Sequence, residues 1–181
     1  MKKNFCIMGA GWYGCHIGLF LKNLGNKVKI FEKEKDIFLG SSGYNQFRLH
    51  SGFHYPRSSE TINEIKINYS KFCKFYKKYI SIPKNNIYCI AQQKSLIDAK
   101  TYEIILKSHG LKITRKKTEF LKNIESAYNC KEAVLLNTKI KQFFKKKLKK
   151  NLILNKKVNS ILNLSKKFDY VLDCTNNTFQ N

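Results

Sequence analysis

The stretch NFCIMGAGWYG, residues 4–14, decides the fold class. Its first five residues form a short apolar run typical of a buried strand, and Gly9, Gly11 and Gly14 follow at once with the spacing G-x-G-x-x-G. A helix is expected next, because apolar residues recur at three- and four-residue steps until Gly25. This order of strand, glycine turn and helix is typical of a dinucleotide-binding unit.

The next stretch, KVKIFE at 27–32, alternates as a second strand and ends on Glu32, 18 residues after Gly14. In such a unit, Gly9 allows the tight turn, Gly11 lets the backbone approach a pyrophosphate, and Gly14 lets the helix lie close to the strand. A carboxylate at Glu32 accepts hydrogen bonds from a ribose 2′-hydroxyl and repels a 2′-phosphate. The pattern therefore favours FAD or NAD over NADP, and a tight turn without a ligand is the alternative.

The charge of the chain comes almost entirely from lysine. The formal net charge is +23, and only three of the 35 basic residues are arginine. Because the lysines are spread along the chain, we interpret them as solvated helix faces and predict no specific nucleic-acid partner. The longest apolar runs are too short to cross a bilayer, so no transmembrane segment is predicted. The six cysteines include no C-x-x-C pair, which predicts no metal site and a cytoplasmic protein with reduced thiols.

The loop GSSGYNQFRLHSGFHYPRS, residues 40–58, holds two of the three arginines and two of the four histidines. Within it, residues 42–55 read S-G-x-N-x-x-x-x-H-S-G-x-x-Y. Together with the glycine motif and Glu32, this pattern resembles the D-amino-acid-oxidase-like superfamily of FAD-dependent oxidoreductases, and within it the 2-hydroxyglutarate oxidases. The resemblance implies that FAD is the cofactor.

The resemblance also implies an architecture. It predicts an α/β, Rossmann-like FAD/NAD(P)-binding domain with a parallel sheet, formed by residues 1–84 and 132–181, and a partial substrate-domain insertion at 85–131. The stretches EAVLLN, NLILN and KVNSILN, with the lysine-faced helix between the first two, resemble the return to the cofactor domain, where a third parallel strand is added. Members of this superfamily are usually much longer, so we expect a fragment or a truncated form, with a partner chain as a source of the missing half. We also expect no turnover by the chain alone.

Further elements follow from local patterns. Apolar spacing predicts a helix over residues 59–80 and a strand over 86–92. A second helix is expected over 95–110, with Ser95 and Asp98 as a capping box. The stretch FDYVLDCTNN, 168–177, resembles the strand that carries a glycine turn against the cofactor. Here that turn, Cys174 to Asn177, contains no glycine.

The resemblance implies roles for residues of both motifs. The residues expected to bind the cofactor are Gly9, Gly11, Gly14, Glu32, Ser41, Ser42, Asn45 and Arg48. The residues expected to be catalytic are His50, Tyr55 and Arg57. A planar guanidinium binds a carboxylate through two parallel hydrogen bonds, so Arg57 is the candidate for a substrate carboxylate. His50 could orient the flavin, accept a proton or carry a covalent flavin link. The alternatives are a structural ion pair for each arginine and a simple hydrogen-bonded loop histidine.

The implied reaction is the oxidation of a C–N or C–OH bond of a small amino acid or 2-hydroxy acid, with hydride transfer to flavin. Two other functions stay open. One is an NAD-dependent dehydrogenase, because the glycine motif by itself does not separate FAD from NAD. The other is a non-catalytic, basic nucleotide- or polyanion-binding protein that uses its lysines.

Overall fold

The computed structural model describes residues 1–176, and Asn177, the last residue of the predicted turn, lies outside that range. The described helices and strands, in chain order, are β1 (Asn4–Met8), α1 (Trp12–Asn23), β2 (Lys27–Phe31), β3 (Arg48–Leu49), α2 (Ser59–Phe75), β4 (Ile80–Ser81), β5 (Ile87–Ala91), α3 (Ala99–Ser108), β6 (Ile113–Arg115), β7 (Ile124–Cys130), β8 (Ala133–Leu135), α4 (Asn137–Leu148), β9 (Leu152–Ile153), α5 (Ile161–Ser165) and β10 (Tyr170–Asp173). Within this range, every helix is too short or too polar to cross a lipid bilayer.

The chain divides into two units. The first joins Met1–Gln46 to the chain from Asn137 onward, and the second is Phe47–Leu136. The boundary predicted at residue 84 falls inside the second unit, because residues 47–84 pack with the segment that follows them. The assignment of a substrate domain to 85–131 stays a prediction.

The first unit is built on a four-stranded sheet with the order β10-β1-β2-β9. All three strand pairs are parallel, and β1 is central, with Ile7 opposite both Leu172 and Ile30. The sheet confirms the predicted Rossmann-like class, and β9 lies in the region where a third parallel strand is expected. The buried face of α4 consists of Ile140, Phe144 and Leu148, so its lysines lie on the other side of the helix.

Close packing of the backbone requires glycine at two of the three motif positions. Gly9 has a φ of +92°, and a Cβ there would lie 2.7 Å from the carbonyl oxygen of Cys174. A Cβ at Gly14 would overlap the carbonyl oxygen of Gly9. Gly14 therefore lets α1 pack directly against the turn that follows β1, as the motif predicts.

The second unit contains two small antiparallel sheets, ordered β5-β7-β6 and β3-β8-β4. Its core packs α3 against the first of these sheets through Tyr102, Leu106 and Tyr128. Phe53, from the loop after β3, belongs to the same core. The loop that carries the predicted catalytic residues is thus anchored in this unit.

Two predicted helices differ from the structure at their ends. The helix predicted over 59–80 ends at Phe75, because a 3₁₀ turn at Lys77–Tyr79 leads directly into β4. The helix predicted from residue 95 begins at Ala99, because the Asp98 side chain accepts a hydrogen bond from the Thr101 N–H and is itself the N-cap. The Ser95 hydroxyl instead donates to the Ile97 carbonyl, so the capping box was wrong.

Candidate dinucleotide-binding site

A cleft of about 1000 Å³ opens at the carboxyl ends of the parallel strands of the first unit. In open α/β sheets, this edge is where ligands bind. The walls of the cleft come from five segments: the glycine turn, the end of β2, the loop at residues 38–45, and the segments 156–158 and 173–176. Its size lies at the upper end of the range for small-molecule sites.

Glu32 lies at the tip of β2, and backbone groups hold its carboxylate in the cleft. Oε2 accepts a hydrogen bond from the Ala10 N–H at 2.7 Å, and Oε1 accepts one from the Glu34 N–H at 3.0 Å. The Glu32 backbone carbonyl accepts a further bond from the Lys156 N–H at 2.8 Å. Each carboxylate oxygen has two acceptor positions, so the side chain is fixed and retains capacity for a ligand hydroxyl.

The N-terminus of α1 opens into the same cleft. Gly11 is the N-cap residue and supplies no side-chain cap. The Ser42 hydroxyl accepts a hydrogen bond from the Trp12 N–H at 2.8 Å, and a Cβ at Gly11 would lie 3.1 Å from that hydroxyl oxygen. A helix N-terminus favours anions through its N–H groups and its dipole. Ser42 adds a hydroxyl proton that can be donated to a phosphate oxygen beside it.

The turn after β10 closes without a glycine among its described residues. Cys174 donates its N–H to the Met8 carbonyl at 2.8 Å, which continues the pairing of β10 with β1. The Asp173 carboxylate accepts hydrogen bonds from both the N–H and the hydroxyl of Thr175, at 2.8 and 2.6 Å. Asn176 then adopts a φ of +59°. The Asp173–Thr175 contact and the left-handed asparagine shape a turn for which the resemblance implies a glycine.

The cleft gathers most of the predicted cofactor residues. Those that line it are Gly9, Gly11, Glu32, Ser41, Ser42 and Asn45. Gly14 lies beneath the turn and allows its packing. Sequence reasoning did not identify several other lining residues, which are Trp12, Phe31, Phe38, Lys156, Lys157 and Val158. The segment at 156–158 has no sequence motif, and it reaches the cleft because β9 pairs with β2.

Arg48 belongs to the second unit, where its guanidinium contacts three neighbours. Nη2 donates to Asn86 Oδ1 at 2.5 Å, Nε lies 3.9 Å from Glu132 Oε2, and the guanidinium carbon lies 4.7 Å from the centre of the Tyr88 ring. These contacts favour the structural alternative for Arg48, and its role in cofactor binding stays a prediction.

The predicted catalytic residues form part of an aromatic cluster. The His50 ring stacks on His54 at 5.0 Å between centroids, and Tyr55 meets His50 edge-on at 5.7 Å. Burial lowers the pKa of His50, and the nearby Glu132 carboxylate opposes that effect. Arg57 is exposed, and its guanidinium makes no hydrogen bond or ion pair with residues 1–176. It is therefore available to an external anion.

No protein-family model matches the sequence. The FAD-dependent monooxygenase FPY4 of Fusarium mangiferae is 38% identical over 178 residues, which cover 93% of this chain and 48% of that protein. The FAD-dependent monooxygenase kojA of Aspergillus flavus is 34% identical over 149 residues, covering 78% and 35%. The chain thus spans about half the length of FPY4 and about a third of kojA.

Two solved structures share the fold. L-α-glycerophosphate oxidase from Mycoplasma pneumoniae, solved with FAD bound, superposes with a TM-score of 0.67 at 13% identity, over 88% of this chain and 46% of that one. Glycine oxidase from Geobacillus kaustophilus gives 0.64 at 14% identity, over 84% and 46%. The chain thus shares the fold of these two oxidases, and in sequence it is similar to FAD-dependent monooxygenases. The predicted resemblance to FAD-dependent oxidoreductases of the D-amino-acid-oxidase-like kind is confirmed at the level of the fold and of the named relatives.

Proposed function

We propose that the chain binds FAD in the cleft of the first unit and forms the adenosine-binding part of an FAD-dependent oxidoreductase. The observation that carries the proposal is the Glu32 carboxylate, fixed by the Ala10 and Glu34 N–H groups beside the open N-terminus of α1. The cleft therefore places a fixed hydrogen-bond acceptor for a ribose hydroxyl next to a helix N-terminus that can bind a pyrophosphate. FAD is favoured over NAD because the curated relatives are named as FAD-dependent enzymes.

Each cofactor-binding residue has a physical task in this proposal. Glu32 accepts hydrogen bonds from the adenosine ribose, and its charge disfavours the 2′-phosphate of NADP. The Ser42 hydroxyl donates to a pyrophosphate oxygen while it accepts from the Trp12 N–H. Gly11 leaves the space in which a phosphate group approaches the backbone. Ser41 and Asn45 supply further polar groups on the same wall.

For the whole protein, we propose oxidation of a C–N or C–OH bond in a small amino acid or 2-hydroxy acid. FAD, when bound, accepts the hydride from the substrate carbon. In this proposal His50 accepts the proton, Arg57 binds the substrate carboxylate, and Tyr55 contacts the substrate or the flavin. The Arg57 guanidinium is exposed and makes no hydrogen bond or ion pair with residues 1–176, which supports its assignment. A cytoplasmic location, and a partner chain that completes the site, stay predictions.

A second candidate is a flavin-dependent monooxygenation. It is favoured by the sequence comparisons, because FPY4 and kojA, which exceed 30% identity to this chain, are named monooxygenases. The two reactions use the same adenosine-binding wall, and they differ in what becomes of the substrate and of dioxygen. An anaerobic reduction of bound flavin by an amino acid or a 2-hydroxy acid supports the oxidase. Substrate hydroxylation that requires dioxygen and an added reductant supports the monooxygenase.

The cofactor assignment is tested by titrating FAD with the full chain and following flavin fluorescence. We expect saturable binding by FAD, competition by NAD, and little competition by NADP. Glu32→Gln removes a charged acceptor, so it should weaken FAD binding roughly 10- to 150-fold, which corresponds to about 1.5 to 3 kcal/mol. Asp169→Asn is the matched control, because Asp169 loses the same charge outside the cleft, where its carboxylate accepts from the Asn4 N–H. Equal affinity of wild type and Glu32→Gln contradicts the proposal.

A further inference from the structure

Glu132 is a buried carboxylate in the second unit that the proposed function does not use. It lies in the turn between β7 and β8, and its side chain is fully shielded from solvent. Oε1 accepts a hydrogen bond from the Ser51 N–H at 2.9 Å, and Oε2 accepts one from the Tyr88 hydroxyl at 2.5 Å. Burying a charged carboxylate costs free energy unless it is paired and hydrogen-bonded, so the groups that surround Glu132 indicate what it does.

The His50 imidazole faces this carboxylate. Its Nδ1 lies 3.8 Å from Glu132 Oε2. Nδ1 is buried and has no hydrogen-bond partner among the described residues, although the ring as a whole is one-third exposed. A negative oxygen beside a buried ring nitrogen favours the tautomer in which that nitrogen carries the proton. In a neutral imidazole, the other nitrogen, Nε2, is then the proton acceptor.

We propose that Glu132 is a positioning residue that holds the proton of neutral His50 on Nδ1 and leaves Nε2 free to accept a proton. Tyr88 tunes this effect, because its hydroxyl donates to the carboxylate oxygen that faces His50. The catalytic meaning of the inference rests on the proposed function of His50. The geometry itself involves no flavin and no substrate.

Other groups around His50 act in defined directions. Burial lowers the pKa of His50, Glu132 raises it, and His54, from the same loop, and Arg48, from β3, both lower it. Tyr55 and His54 contact the ring through its aromatic faces and edges. Tyr88, from β5, acts on the carboxylate, to which it donates its hydroxyl proton. Glu132 is thus the group that opposes the rest of the surroundings.

The experiment is a pH titration of the histidines by NMR in the full chain with ¹⁵N-labelled histidine. The sequence contains four histidines, and His50→Gln assigns the relevant signal. We expect the ring nitrogen shifts of neutral His50 to show the proton on Nδ1. Glu132→Gln should lower the His50 pKa by about one pH unit, the effect of a unit charge 3.8 Å away in a water-like dielectric.

Two further variants make the test specific. Tyr88→Phe removes the donor that competes for the carboxylate, so it should raise the His50 pKa, and it carries the test if Glu132→Gln does not fold. Glu103→Gln is the matched control, because Glu103 also accepts a tyrosine hydroxyl but pairs with Tyr128 and Arg115. We expect no change in the His50 pKa in that variant.

A proton on Nε2 in neutral wild-type His50 overturns the inference, and so does a His50 pKa that both Glu132→Gln and Tyr88→Phe leave unchanged. Failure of the proposed function is a separate result. If the chain does not bind FAD, the titration still reports on Glu132, because it needs no cofactor. If the titration fails while FAD binds, only the role of Glu132 is lost.

Discussion

Gly11→Ala is the sharpest perturbation of the proposed FAD site, because it adds one methyl group without straining the backbone. Gly11 has φ and ψ of −73° and −166°, an extended conformation that any residue can adopt. The new Cβ would lie 3.1 Å from the Ser42 hydroxyl oxygen, which accepts the Trp12 N–H at 2.8 Å. The methyl group therefore fills the space before the helix N-terminus and displaces the hydroxyl.

The expected effects on binding and on stability differ. Loss of one hydrogen bond to a charged phosphate costs about 1.5 to 3 kcal/mol, so the dissociation constant for FAD should rise roughly 10- to 150-fold. The unfolding free energy should change by less than about 1 kcal/mol, because loss of the Ser42 hydrogen bond is offset by the lower chain entropy of alanine in the unfolded state. The branched side chain of Gly11→Val should abolish binding.

The assay combines an FAD titration with urea unfolding of the same variants. Gly40→Ala is the control, because a Cβ at Gly40 meets no atom within 4 Å and the residue lines the same cleft. Its affinity and stability should stay close to those of the wild type. If Gly11→Val binds FAD within twofold of the wild type, the glycine motif is only a turn, and the reasoning from Gly11 to the pyrophosphate is refuted.

Three further predictions concern other parts of the chain. A Cβ at Gly14 overlaps a backbone carbonyl oxygen, so Gly14→Ala should lower the unfolding free energy by about 2 kcal/mol or more. A urea-unfolding free energy within about 0.5 kcal/mol of the wild-type value contradicts this prediction. Although burial raises the pKa of Asp36, hydrogen bonds from Lys141 and Lys145 lower it overall, so the stability it contributes should be lost as pH falls below about 4. In Asp36→Asn, the urea-unfolding free energy should not show this loss at low pH. A pH profile identical to that of the wild type contradicts the prediction. Arg48→Lys should lower stability by about 1 to 2 kcal/mol and leave FAD affinity unchanged, whereas the opposite pattern would restore a cofactor role for Arg48.

The glycine motif and Glu32 could be predicted from sequence because their structure is local. A short strand, a turn and a helix follow one another within 20 residues, and Gly14 is explained by the Gly9 carbonyl of the same turn. The atoms nearest to Gly9 and Gly11, in contrast, belong to Cys174 and Ser42, which are distant in sequence. Glu32 could be placed as well, because parallel strands joined by a helix end at the same edge of the sheet. The cleft therefore contains most of the residues expected in it.

The helix ends and the contacts of Glu132 with Ser51 and His50 could not be predicted, for two different reasons. Ser95 and Asp98 both suit a helix start, and the choice of Asp98 depends on the bond that its side chain makes to the Thr101 N–H. Glu132 and Ser51, in contrast, are 81 residues apart. They meet through the pairing of β3 with β8, two short strands for which the sequence has no periodic signal. Long-range contacts between such short elements leave no local pattern.

The use of arginine at position 48 in a lysine-rich chain now has a physical reason inside the protein. Its guanidinium lies over the Tyr88 ring, donates to Asn86 and approaches Glu132, so three different contacts are made by one planar group. A lysine ammonium carries a similar charge, but it lacks the flat face and the directed N–H groups that satisfy these neighbours together. The geometry of these contacts therefore favours arginine at position 48. All three partners are residues of the chain itself, whereas the sequence analysis expected Arg48 to bind the cofactor. Arg57 makes no such contact within residues 1–176, so its role in binding a substrate carboxylate stays a prediction.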